Sequence, residues 1–154
     1  MGLIREVRHL GLPLVHIGDP VPGRHDYARE CRRAGEGFVT WLGRLDHDDP
    51  MLAAAYAAAR VFALPSWFET PGLAALEAAL AGCAVTITPF GSTREYFGAQ
   101  AAYARPHRPE EIRRAIRTCW DHGPDPRLAP RVATHYLWPN VAQITAEVYD
   151  QIAR

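Results

Sequence analysis

Residues 66–83 read SWFETPGLAALEAALAGC and hold two carboxylates, Glu69 and Glu77, with seven residues between them. Between Thr70 and Thr93 the only formally charged side chain is Glu77. Thr70 followed by Pro71 has the form of an N-cap and first helical position. The sequence therefore predicts a helix over Pro71–Ala81, starting directly after a strand at Val61–Leu64 and its loop. The first amides of that helix, on Gly72, Leu73 and Ala74, have no intrahelical acceptor. With the partial positive charge of the dipole they make a seat for phosphate. Gly72 admits a ligand closely because it has no Cβ. Glu77 lies one helical step beyond Leu73 on the same side, among Leu73, Ala74, Leu80 and Ala81. A carboxylate buried there is costly unless donors meet it. Ligand hydroxyls in a cleft would serve, and Glu69 in the loop before the cap can face the same cleft. On spacing alone a second reading stands beside this one: Glu77 as the solvent-facing residue of an Ala-rich amphipathic helix, and Glu69 as a surface loop residue.

The remaining chain supplies elements that would position this stretch. Short apolar or β-branched runs alternate with helical stretches, the pattern of an α/β domain with a mostly parallel, Rossmann-like sheet flanked by helices. Strands are expected at Leu14–Ile17, Phe38–Leu42, Val61–Leu64, Val85–Thr88 and, on a weaker signal, Ala101–Ala104. Leu3–Leu10 reads as the last turns of a helix closed by Gly11. Further helices are expected at Asp26–Ala34, Pro50–Ala59, Thr93–Phe97, Pro109–Trp120, Asp125–His135 and Pro139–Ala153. Nothing marks a domain boundary, so residues 1–154 read as one domain. A doubly wound sheet ordinarily opens with a strand, and this sequence opens inside a helix.

Composition narrows the classes. Seventeen basic and seventeen acidic residues cancel, so no basic face proposes nucleic acid or an anionic membrane. Every one of the seventeen is Arg; without lysine there is no Walker-type phosphate loop and no Schiff base. Cys31, Cys83 and Cys119 are far apart and odd in number, which fits reduced thiols in a cytoplasmic protein. The opening MGLIREVRHL lacks the apolar core of a signal peptide. Gly82, Pro89 and Glu77 interrupt the apolar run Pro71–Phe90, which argues against a transmembrane segment. Asp46-His47-Asp48-Asp49 has metal-ligand residue types, but Asp49-Pro50 explains it as a helix cap.

The stretch VFALPSWFETPGLAALEAALAGCAVTIT, 61–88, resembles the signature of retaining GT-B glycosyltransferases of the Glu-x7-Glu, group 1 type. Its parts are a strand ending in Pro65-Ser66, Glu69, Glu77, Ala81-Gly82-Cys83 and a strand from Val85. LVHIGD at 14–19, FVTWLGRL at 38–45, FGSTREYFG at 90–98 and YLWPNVAQITAEVYDQI at 136–152 resemble other segments of that family, in order and at its spacing. The resemblance implies that Glu77 binds the ribose hydroxyls of a nucleotide and that Glu69, the catalytic carboxylate, contacts hydroxyls of the donor sugar. It implies that the Thr70, Gly72 and Leu73 region faces sugar and phosphates, that Gly43, Arg44 and Leu45 line the base, and that Glu95 belongs to a loop near the donor. The donor would be a UDP- or GDP-sugar, cleaved with retention and without an obligatory metal or other cofactor.

Two departures accompany the resemblance. A complete enzyme of that kind has two Rossmann-like domains, and this sequence resembles the C-terminal, donor-binding one, with the N-terminal acceptor domain absent. The strand and the Arg/Lys clamp that open that domain are also absent, the strand being central and next to Leu14–Ile17. Arg44 and Arg94 are candidates to approach the phosphates instead, or are simply solvated. The expectation is a donor-binding half, inactive or nearly so alone. The alternative is a non-catalytic module that pairs with an N-terminal domain on another chain.

Overall fold

The computed structural model describes residues 1–153. Its elements run α1 (Gly2–Leu10), β1 (Leu14–Ile17), α2 (His25–Ala34), β2 (Val39–Gly43), α3 (Pro50–Ala58), β3 (Val61–Leu64), α4 (Leu73–Leu80), β4 (Ala84–Ile87), α5 (Thr93–Phe97), β5 (Ala102–Tyr103), α6 (Pro109–His122), α7 (Leu128–His135) and α8 (Trp138–Ile152). All strand pairing is parallel, so the expected α/β class with flanking helices holds. β4 is buried along its whole length, as a central parallel strand covered on both faces must be.

Helices cover the strands in two layers. On one side α4 and α7 bury Ala75, Leu76, Ala79, Leu128 and Val132 against Val85 and Ile87 of β4. On the other, Val7 of α1 packs with Ile112, Ala115 and Ile116 of α6 over Leu14 of β1, Ala63 of β3 and Ala102 of β5. Arg8 donates to the carbonyls of Ala34 and Glu36, which ties the C-terminal end of α2 to α1.

The strands nevertheless form two sheets, β1–β2 and β3–β4–β5. Leu14 donates its amide to Phe38, so the alternation of a strand turns the backbone groups of Val15 and Ile17 away from β2. Arg60 and Leu64 accept from Ala84 and Thr88, which turns Val61 and Ala63 away from β4. β1 and β3 thus share a helix layer, and among the described residues each keeps one hydrogen-bonding edge unpaired.

Some boundaries differ from the sequence reading. α7 begins at Leu128 rather than Asp125, because the Asp125 side chain accepts the Arg127 amide at 2.9 Å and its carbonyl accepts Leu128 at 3.0 Å. That capping turn occupies the residues assigned to the first helical turn. β2 runs one residue past its expected end, and β4 begins and ends one residue early. α8 leaves Trp138, Ile144, Val148, Tyr149 and Ile152 exposed. No helix among the described residues is long and apolar enough to cross a membrane.

Candidate active site

The candidate site is built on the loops that follow the strands, where open α/β sheets bind ligands. Beyond β3 and β4 the chain continues their pairing with an isolated parallel bridge between Glu69 and Gly91. The Glu69 amide donates to the Phe90 carbonyl at 3.3 Å, and the Ser92 amide donates to the Glu69 carbonyl at 3.1 Å. Gly91, at φ 92°, makes this approach possible. Glu69 is therefore held by backbone on both sides and is half-buried.

From there the chain turns into α4, and here the expected cap is corrected. Thr70 is exposed and caps nothing; the N-cap is Gly72, in the left-handed region at φ 65° and ψ 59°. The tether of Glu69 to Gly91 is followed by a bend through Thr70 and Pro71, and a glycine then makes the turn into the helix at little steric cost. The Gly72 carbonyl accepts from Ala75 at 2.8 Å and from Leu76 at 3.1 Å. The amides of Gly72, Leu73 and Ala74 have no acceptor among the described residues. The anion seat read from the sequence is kept, displaced from Thr70 to the Gly72 turn. Glu69 Oε2 lies 3.9 Å from the point a Gly72 Cβ would occupy, so this carboxylate stands at the mouth of the seat.

Glu77 sits one turn further along α4. Its side chain is 36% exposed, so the expectation of a buried acid gives way to a half-buried one with a protein donor. The Tyr56 hydroxyl, from α3, donates to Glu77 Oε2 at 3.1 Å. His47 Nδ1 lies 3.8 Å from the other oxygen, Oε1, beyond hydrogen-bond length. Burial, and next the negative charge of Glu77, push the Tyr56 phenol up to about 12, so it is a permanent donor at neutral pH. Tyr56 was invisible to sequence spacing, because it stands 21 positions from Glu77 on a helix that reads as Ala-rich filler.

The other site residues fall around this pair. His47 belongs to the loop between β2 and α3, whose Asp49 side chain caps α3 by accepting the Met51 amide at 2.8 Å. Through His47 that loop, which begins after Gly43, reaches Glu77. The Gly43 carbonyl accepts from Gly18 at 2.7 Å, which ties the loops after β1 and β2 together. Leu45 is half-buried, and Arg44 is exposed with its Nε 3.9 Å from Asp46. Arg94 lies over the Tyr103 ring, 4.3 Å from its centroid. Glu95 is exposed on α5, and its carbonyl accepts from Arg131 and Tyr136. The structure brings Glu69, Gly72 and the Leu73 amide together at one end of α4 and Glu77 with His47 further along it. It gives Arg44, Arg94 and Glu95 no contact with either carboxylate. The His107 ring lies nearly parallel to those of Trp67 and Phe90, with centroids 5.9 and 6.2 Å away, making an exposed aromatic group beside the Glu69 bridge that the sequence did not announce. Among the described residues no three His, Cys, Asp or Glu side chains gather into a metal site.

The fold has relatives. A comparison with curated protein sequences finds no match. Among solved structures, sucrose-phosphate synthase from Thermosynechococcus elongatus is similar at 24% identity and a TM-score of 0.74, over 98% of this chain and 42% of that one. Anabaena HepE, solved in complex with UDP and glucose, is similar at 21% identity and a TM-score of 0.76, over 99% of this chain and 44% of that one. The C-terminal domain of a glycosyl transferase group 1 family protein, LpcC from Francisella tularensis, is similar at 16% identity and a TM-score of 0.57, over 83% of this chain and 85% of that domain. The chain therefore has the fold of the C-terminal half of GT-B glycosyltransferases and spans less than half the length of the first two. Residues 1–122 match the family model described as glycosyl transferases group 1, and the chain belongs to that family.

Proposed function

We propose that the chain is the donor-binding half of a retaining glycosyltransferase that uses a UDP- or GDP-sugar. The observation that carries this reading is the placement of Glu69 at the free amides of Gly72, Leu73 and Ala74, with Glu77 one turn along the same helix. The amides would receive the diphosphate and stabilise the charge that develops as it departs, a contribution that is large where donors are already oriented. Glu69 would hold hydroxyls of the transferred sugar, and Glu77 those of the ribose. Gly43 and Leu45 would line the base. Positioning of this kind needs no metal ion. HepE, whose structure holds UDP and glucose, supports the choice of ligand class.

Transfer itself would require an acceptor-binding domain. The exposed apolar residues of α8 and the unpaired edges of β1 and β3 favour a form of the reading in which this half works with a second domain, on the same or another polypeptide. Isothermal titration with UDP and GDP tests the proposal. Binding in the millimolar-to-micromolar range, abolished by Glu77→Ala, is expected. A well-folded chain that binds neither nucleotide contradicts it.

A further inference from the structure

We infer that Tyr56 is a positioning residue that fixes the Glu77 carboxylate for a ribose cis-diol and so sets the preference for ribonucleotides over 2′-deoxyribonucleotides. The inference rests on the reading of Glu77 given above. Its basis is that Glu77, with a side chain 36% exposed, has one hydrogen-bond donor among the described residues, the Tyr56 hydroxyl on Oε2. A carboxylate exposed to that degree and without such a donor would sample several rotamers in water.

Tyr56 is itself anchored. Its ring lies 6.0 Å from that of Phe62 on β3, its carbonyl accepts the Cys83 thiol at 3.2 Å, and its helix is started by the Asp49 cap. A phenol is a short, stiff donor with two torsions, so the hydroxyl is a fixed point to which Oε2 is tied. Oε1 is left without a hydrogen bond, since His47 stands off at 3.8 Å. Each carboxylate oxygen accepts at two sites. A cis-diol can then donate one hydroxyl to Oε1 and the other to the remaining site on Oε2. Removing the 2′-hydroxyl deletes one of these bonds, and the loss registers only while the carboxylate is held still.

The test compares UDP with 2′-deoxy-UDP, and GDP with 2′-deoxy-GDP, by titration of the wild-type chain, Tyr56→Phe, Glu77→Ala and the double variant. Tyr56→Phe keeps the ring against Phe62, so the fold is retained, as circular dichroism would verify. The wild type should prefer the ribonucleotide by about tenfold, the effect expected for one hydrogen bond to a charged group. Tyr56→Phe should reduce that preference to near unity with little change for the deoxy form, and should add nothing in the Glu77→Ala background. A preference retained by Tyr56→Phe overturns the assignment while leaving the role of Glu77 intact. An equal weakening toward both sugars, or a loss that persists without Glu77, overturns it as well, because Tyr56 would then act through packing. A wild-type chain that binds both sugars alike removes the ribose role of Glu77, and the role of Tyr56 with it.

Discussion

A Cβ on Gly91 would lie 1.8 Å from the Glu69 carbonyl oxygen, so these two residues can pair only while Gly91 has no side chain. The neighbour that would have to give way is backbone, tied on both sides by the Phe90 and Ser92 bonds. Gly91→Ala must therefore push the Glu69 segment off the end of β4. It also places an Ala at φ 92°. Overpacking and the positive φ together should destabilise the chain by roughly 3 kcal/mol, read as a lowered urea midpoint. Nucleotide-sugar binding should be lost in the fraction that still folds. An unchanged midpoint would mean that the bridge does not persist in solution.

Gly72→Ala is expected to separate folding from binding. Here the new Cβ would meet Ile87 Cδ1 at 3.3 Å and Glu69 Oε2 at 3.9 Å, both ends of flexible side chains. The left-handed backbone should cost about 1–2 kcal/mol. The methyl group would also crowd the Glu69 carboxylate at the mouth of the anion seat, however, where a phosphate needs the Gly72 turn undisturbed. A folded protein whose UDP or GDP affinity falls at least about tenfold is the expected result, measured by titration alongside urea unfolding. Full affinity in a folded Gly72→Ala chain would mean that phosphate binds elsewhere.

These two glycines mark what the sequence did and did not reveal. Thr70-Pro71 satisfied the rules for a helix start, and those rules are local. The structure moves the start to Leu73 because Glu69 is tethered to Gly91, 22 positions away, a non-local constraint with no periodic signature. Gly72 itself was the available clue, since a glycine directly after a Thr-Pro pair can supply a positive φ. The strands were legible to within a residue or so because apolar runs bounded by Gly and Pro report burial directly. Glu77 was legible as an anomaly, one charge in an apolar stretch. Its donor was not, because Tyr56 meets it only through the packing of α3 on α4. The aromatic stack of Trp67, His107 and Phe90 escaped for the same reason, its three members coming from three separate loops.

The Tyr56–Glu77 contact carries a pH signature at the alkaline end. Burial and the Glu77 charge raise the Tyr56 phenol from 10.0 to about 12. In the unfolded chain the phenol ionises near its ordinary value, while in the folded chain it keeps its proton. The folded state thus binds more protons between these two values, and stability falls as pH rises through that window. Below it the contribution is fully present. Tyr56→Phe should flatten this part of the stability–pH curve, and Glu77→Gln should flatten it in part by removing the carboxylate charge that follows burial among the causes. Unfolding by urea at a series of alkaline pH values, with tyrosinate absorbance recorded in parallel, checks both. Identical curves for wild type and Tyr56→Phe would remove the buried, charge-paired environment of this phenol.

The division of the strands into two sheets makes a prediction for backbone exchange. Val15 and Ile17 on β1, and Val61 and Ala63 on β3, turn their backbone groups toward an edge with no strand attached. Val15 is 52% exposed, which gives water access to that edge of β1. Ile87 of β4, by contrast, is fully buried and pairs with strands on both sides. An amide without an acceptor exchanges without any opening event, whereas a central-strand amide waits for sub-global or global unfolding. The four edge amides should therefore exchange on the order of a thousandfold faster than those of β4. Hydrogen–deuterium exchange followed by NMR resolves them individually. Slow exchange at Val15 and Val61 together would mean that the two edges find a common partner in solution, a strand lying between them or each other. Comparing dilute with concentrated protein then separates pairing within one chain from pairing between chains, because only the second depends on concentration.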